Sequence, residues 1–296
     1  MKASEMTAER NISMLLKGTF GFGKTIAASS VCVEGPIYIA YFDKKKPVEL
    51  EHFYRRVIKR PELLANIEYD TYSSHNAHEY LNKLISFLKD CRYVAVITDS
   101  LTNLTAAAVN WSLAFRDPKG GKKDKLNTAA PQLIPDFDEY KVETSLVSQA
   151  LDISKSLPCH IIWTAHPLPQ LKVEGAGASI KVTKGNSIVT YGNKVAGVVP
   201  GNFTEIYHFS KQIDYQSNPS RMKYLVSTDM VGDEYAKTAL GLPAEFEITN
   251  RLFWEVWKEQ LKKVQDTYVL ADTEEQTDDI TSINPSINPF QTKWKT

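Results

Sequence analysis

LLKGTFGFGKT, residues 15–25, decides the reading of this chain. A short apolar run gives way to a glycine, a glycine-rich loop leads to Gly-Lys-Thr, and small residues follow in IAASS, residues 26–30. That pattern predicts strand, loop and helix in succession. Gly18, Thr19, Phe20, Gly21, Phe22, Gly23, Lys24 and Thr25 fit G-x-x-x-x-G-K-[ST], in which the glycines let backbone N–H groups turn inward round phosphate oxygens. Lys24 then reaches the β- and γ-phosphates, Thr25 offers its hydroxyl to Mg²⁺, and Ile26 opens the helix whose positive end faces the phosphates. ATP and Mg²⁺ are the cofactors such a cradle predicts.

Outward from the cradle, PIYIAYF (residues 36–42), YVAVIT (93–98) and CHIIWT (159–164) are apolar without alternation, as strands covered on both faces are. IEYDTY (67–72) is a further strand, while residues 47–65, 76–90, 101–115 and 138–156 carry helical spacing. Residues 204–209 and 222–227 read as late strands that form an antiparallel pair, and NRLFWEVWKEQLKKV (250–264) as an amphipathic helix docked on the core. Strands alternating with helices predict an α/β fold, a mostly parallel sheet flanked by helices. Ligands in such sheets sit at the carboxyl ends of the strands, where Gly18, Asp43, Asp99 and His166 all fall. One domain is expected over residues 1–265, with exposed loops at 117–135 and 167–192, and a flexible acidic and polar tail over 266–296.

Lys and Arg number 35, as do Asp and Glu, so no overall field drives the chain onto nucleic acid or an anionic membrane, and any DNA contact must be local. The hydrophobic share, 43%, suffices for a core. Cys32, Cys91 and Cys159 form no C-x-x-C pair and read as buried thiols of a reducing cytoplasm. No run reaches the length of a membrane span, and the charged N-terminus lacks the apolar stretch of a signal peptide, so a cytoplasmic location is expected.

Three carboxyl-end residues carry candidate chemistry. An apolar strand that ends in Asp99 places a carboxylate where the Mg²⁺ shell is held, although Asp-Ser ahead of a helical run is also a capping signal. Asp43 is a candidate to polarise the attacking water, or else a loop carboxylate neutralised by Lys44, Lys45 and Lys46. His166 suits either a γ-phosphate sensor or a structural histidine.

With these positions in hand, the sequence resembles the RecA-like P-loop ATPases, most closely the small phage-encoded AAA-domain proteins of the single-strand annealing and recombination-mediator type. The resemblance spans roughly residues 13–246 and rests on LLKGTFGFGKT, YVAVITDS, DEYKVETSLVSQALDISKSLPCHIIWTAHP (138–167) and DEYAKTALGLPAEF (233–246). It implies ATP hydrolysis, a γ-phosphate sensor at His166, and a DNA-contacting loop over residues 168–193. It also implies a homo-oligomer with ATP between subunits, in which Lys237 reaches a neighbour's nucleotide, with single-stranded DNA and a single-strand binding protein as partners. Two departures stand out: Lys45 occupies the place of the family's catalytic glutamate, and Ala239 that of an arginine two residues beyond the late lysine. Lys119, Lys122, Lys123, Lys125, Lys172, Lys181 and Lys184 are candidates for DNA phosphates, and Tyr191 for base stacking.

Two other classes stay open. A nucleotide-gated interaction module with marginal hydrolysis would suit Lys45 and the tail segment NPSINPF (284–290). A small-molecule kinase would need an arginine-rich lid after a mid-chain helix, which only the lysines of residues 119–125 imitate.

Overall fold

The computed structural model describes residues 11–42, 47–114, 135, 137–167, 188–230 and 236–278. In chain order the elements are β1 (Ser13–Gly18), α1 (Lys24–Ser29), β2 (Ile37–Tyr41), α2 (Val48–His52), β3 (Ile67–Thr71), α3 (Ala77–Lys89), β4 (Ala95–Asp99) and α4 (Leu101–Ala114). There follow α5 (Phe137–Lys155), β5 (His160–Ala165), α6 (Asn193–Val198), β6 (Glu205–Asp214), β7 (Arg221–Ser227), β8 (Glu245–Glu247) and α7 (Phe253–Asp278).

Among the described residues eight strands join one sheet, in the order β3-β2-β4-β5-β1-β6-β7-β8. β3 through β6 in that order run parallel, and β7 and β8 close the edge antiparallel. This is the mostly parallel α/β sheet that the alternation of apolar runs implied, including the antiparallel late pair. Every residue of β2 and β4 is buried, which explains why neither strand alternates in sequence.

Alternate residues of the central strands supply two cores. Leu15, Tyr38, Val96 and Trp163 face α3, α4 and α5 on one side. Met14, Leu16, Ile39 and Ile97 face α1, α2 and α7 on the other. α7 is tied down by Trp254 and Trp257, whose rings stack 4.9 Å apart. Trp257 Nε1 donates to Tyr207 O–H (2.9 Å), and the Trp254 N–H donates to Ser30 Oγ (2.9 Å). Replacing either buried indole by alanine would cost about 3–5 kcal/mol.

The structure differs from the sequence expectations in four places. Residues 47–65 are not one helix: α2 gives way to a π-turn at Phe53–Val57, Lys59 takes φ 60°, and Pro61 starts a separate 3₁₀ segment, Pro61–Asn66. A left-handed residue followed by proline stops a helix regardless of its apolar spacing. β8, three residues long, is too short to show a period. α6 opens just beyond the stretch expected to be loop. α7 continues to Asp278, past residue 264 where the apolar stripe ends and into the stretch assigned to the tail. Among the described residues no helix is long and apolar enough to cross a membrane.

Candidate functional site

The cradle is built where β1 ends. A Cβ on Gly18 would lie 2.7 Å from the Phe209 carbonyl oxygen and 3.0 Å from Phe209 Cβ, so β1 and β6 approach too closely there for any side chain. Gly21 (φ 73°) and Gly23 (φ 84°) hold left-handed conformations, and Gly23 leads directly into α1. Thus the glycines of the motif serve two needs, space at Gly18 and backbone conformation at Gly21 and Gly23.

Lys24 is almost fully buried at 6% exposure, and its Nζ donates to the carbonyls of Gly18 (2.6 Å) and Thr19 (3.1 Å). The same Nζ lies 3.3 Å from His166 Nδ1, which in turn lies 3.3 Å from the Gly18 carbonyl. Burial, and then the Lys24 ammonium, push the His166 pKa down to about 4, against the Gly18 carbonyl, which raises it. His166 is therefore a neutral imidazole at neutral pH. The ring of Phe20, itself 73% exposed, lies over it with centroids 3.8 Å apart.

Asp99, at the end of β4, is 3% exposed and accepts from two hydroxyls. Thr25 Oγ1 donates to Oδ2 (2.7 Å) and Thr164 Oγ1 donates to Oδ1. The capping reading of Asp99 is answered one residue on, where Ser100 Oγ accepts the Asn103 N–H (3.4 Å) at the start of α4. A threonine hydroxyl bonded to a buried carboxylate is a hard-oxygen pair, and these atoms fit Mg²⁺, which takes one or two protein oxygens with the rest from phosphate and water. Among the described residues no cluster of three His, Cys, Asp or Glu side chains is placed to hold an ion, and Mg²⁺ held in that manner needs none.

These groups meet at one end of a cavity of about 680 Å³. The Lys24 end is lined by Phe20 to Ala27, Asp99, Ser100 and His166, so Ile26 also reaches it. The other walls come from Val48 and Phe53 of α2 and its π-turn, Tyr224 of β7, and Ile248, Asn250 and Phe253 ahead of and at the start of α7. Glu49, His52 and Arg251 stand among these apolar and aromatic walls, and a charged end beside such a mixed surface, in a space of this size, suits a nucleotide.

Of the residues singled out from sequence, Gly18, Thr19, Phe20, Gly21, Phe22, Gly23, Lys24, Thr25, Asp99 and His166 come together at the carboxyl edge of the sheet. Asp43 lies outside the described residues, as do Lys119, Lys122, Lys123, Lys125, Lys172, Lys181 and Lys184. Lys237 does not join the cluster: its backbone exchanges two hydrogen bonds of 2.9 Å with Ile206, which pairs with Leu15, three residues short of Gly18. Three contributors escaped the sequence reading. Thr164 lies two residues before His166 on the same edge; Thr102 Oγ1 accepts the His166 N–H (3.2 Å); and Glu49, which lines the cavity, accepts from Tyr41 O–H (3.0 Å). Only Thr164 left a trace in the sequence, as a polar residue in an otherwise apolar run.

The sequence matches no protein-family model and no curated protein. Among solved structures, the chain is similar to a RadB recombinase at 15% identity and a TM-score of 0.44, over 81% of this chain and 89% of that one. It is also similar to a KaiC-like protein from the hyperthermophilic archaeon Pyrococcus horikoshii OT3 at 13% identity and a TM-score of 0.37, over 73% of this chain and 77% of that one.

Proposed function

We propose that the chain is a RecA-like, Mg²⁺-dependent ATPase of the phage AAA-domain type, acting on single-stranded DNA in recombination, replication or repair in the cytoplasm of a bacterial host. One observation carries the ATP part: Lys24, Thr25, Asp99, Thr164 and His166, drawn from two strands and a helix, converge on the charged end of a nucleotide-sized cavity. Bound Mg²⁺ would supply charge neutralisation at the β- and γ-phosphates, with Thr25 and Asp99 as the protein groups that hold it. Lys24 exchanges the Gly18 and Thr19 carbonyls for phosphate oxygens. His166, neutral and beside Lys24, reads the γ-phosphate. Asp43 remains the proposed polariser of water.

The single-strand reading is supported by a second concave surface. Phe137 and Tyr191 are 60% and 51% exposed and line a cavity of about 570 Å³ together with Lys141 and Lys194. The two ammonium groups stand 4.5 Å and 5.9 Å from the Phe137 ring centroid. Aromatic faces beside lysines are what a non-specific single strand uses for base stacking and phosphate contact. The surface is joined to the cradle through the backbone, since the Val189 N–H donates to the His166 carbonyl (2.8 Å), two residues from Tyr191.

Assembly as a homo-oligomer with ATP between subunits, with Lys237 offered to a neighbour's nucleotide, is part of the proposal; Lys237 does not line the cavity of its own chain. A single-strand binding protein is a further proposed partner. A second reading, the nucleotide-gated module with marginal hydrolysis, draws on the carboxylates of the cavity. Among the described residues these are Asp99 and Glu49, and each already accepts hydroxyl hydrogen bonds.

Turnover of ATP by the wild type and by Lys24→Ala, each with single-stranded DNA, duplex DNA and no DNA, tests the proposal. Hydrolysis that rises with the single strand and disappears in Lys24→Ala is expected. Tight ATP binding with wild-type turnover no faster than Lys24→Ala would decide for the module.

A further inference from the structure

Lys211 stands next to the cradle in the same chain. It lies on β6 two residues beyond Phe209, the partner of Gly18, and across from Tyr224 of β7, which lines the nucleotide cavity. Its Nζ sits 5.1 Å from the ring centroid of Phe22, the cradle residue just before Gly23. Neighbouring cations on the hairpin are engaged otherwise: Lys223 and Arg221 pair with Asp214 at 3.0 Å and 3.5 Å. Among the described residues no carboxylate pairs with Lys211, and its side chain is exposed.

We infer that Lys211 is a second cation of the phosphate site, contacting the α- or β-phosphate of the bound nucleotide; the inference rests on the ATP reading above. Sheet order sets which phosphate. Asp99, Thr164 and His166 stand on β4 and at or just past the end of β5, on one side of β1, whereas β6 is on the other side. A triphosphate with its γ-end at Asp99 and His166 therefore has its α-end and ribose toward β6, beside the apolar walls of Tyr224 and Ile248. The Phe22 ring holds the ammonium loosely. An exposed cation–π contact is worth only about a two- to fivefold preference, whereas a hydrogen bond to a charged oxygen is worth about tenfold or more. A phosphate in reach takes the lysine from the ring. The flexible four-carbon stem of lysine, a point charge on a tether, suits that transfer.

Position at the α/β end has a consequence that a γ-end cation would not share: ADP keeps the contact. The test is equilibrium binding of Mg·ATP and Mg·ADP to the full chain as wild type, Lys211→Ala, Lys211→Arg and His166→Ala. Lys211→Ala is expected to weaken ATP and ADP by the same factor, about tenfold, with Lys211→Arg restoring most of it and His166→Ala weakening ATP alone. Thermal melting of Lys211→Ala should match the wild type, because the side chain is exposed. If the wild type binds both nucleotides and Lys211→Ala leaves them unchanged, or weakens only ATP, the assignment of Lys211 is overturned while the ATP reading stands. A wild type that retains neither nucleotide overturns both.

Discussion

Replacing Thr164 by valine keeps the size of the side chain and removes one hydroxyl. Thr164 is fully buried and Asp99 is 3% exposed, so little water reaches the carboxylate oxygen that loses this donor. Hydrogen bonds to charged groups are worth about 1.5–3 kcal/mol, and leaving such an acceptor buried and unsatisfied costs a similar amount. Thr25 still donates to the other oxygen, so about 2 kcal/mol is a fair figure for the loss. For a domain of this size each kcal/mol moves Tm by about 2–4 °C, which places Thr164→Val about 4–8 °C below the wild type in calorimetry. A group that orients a carboxylate proposed to hold a metal also affects the metal, so Mg²⁺-dependent ATP affinity should fall by about tenfold or more. ATP without Mg²⁺ should bind nearly as before. If Thr164→Val melts within about 1 °C of the wild type and binds Mg·ATP equally well, Thr164 does not hold Asp99 and the account of the site at that atom is wrong.

Gly18→Ala should cost about 1–3 kcal/mol by urea unfolding, since its Cβ meets the Phe209 backbone at 2.7 Å and β1 must part from β6. Gly21→Ala, with open space round its Cβ but φ 73°, should weaken ATP binding with a smaller loss of stability. Glu143 on α5 is fully buried, and burial raises its carboxyl above the ordinary 4.5, so the fold loses stability as pH climbs through and above that value. Glu143→Gln should accordingly be more stable than the wild type at pH 8 and indistinguishable from it near pH 4, read from denaturant midpoints at the two pH values. His166 is depressed to about 4 from 6.5, so the unfolded chain takes up a proton that the folded chain refuses, and stability drains as pH falls from 6.5 toward 4. His166→Asn should flatten that slope; an unchanged slope would place the titration elsewhere.

The readability of this fold has a physical pattern. β1, β2, β4 and β5 were legible because a strand buried on both faces must be apolar throughout, and their ends were legible because polar residues mark where the cover stops. The cradle was legible because backbone conformation at Gly21 and Gly23, and crowding at Gly18, restrict those positions to one residue type. Strand order was not, since it is decided by long-range packing that no local period records. Thr164 was missed for that reason: its importance depends on β5 lying beside β4. The break at residues 59–61 is hidden because apolar spacing continues through it; Pro61 is the local signal that marks it.

The insertion of β5 between β1 and β4 is the arrangement from which the chemistry follows. Had β1 and β4 been neighbours, Thr25 could still have met Asp99, but nothing would separate the lysine from the carboxylate. With β5 between them, Thr164 secures the carboxylate on one side, and two residues later His166 meets the ammonium on the other. The backbone of His166 is fixed at both polar groups, its N–H to Thr102 Oγ1 and its carbonyl from the Val189 N–H. Its ring meets Lys24, the Gly18 carbonyl and Phe20. Val189 leads within three residues to Gly192, where a Cβ would lie 2.6 Å from a Glu143 carboxylate oxygen, so this stretch runs close against α5. The backbone that carries His166 is thus one hydrogen bond from the stretch leading to Tyr191, and through it the cradle adjoins the exposed aromatic surface of Tyr191 and Phe137.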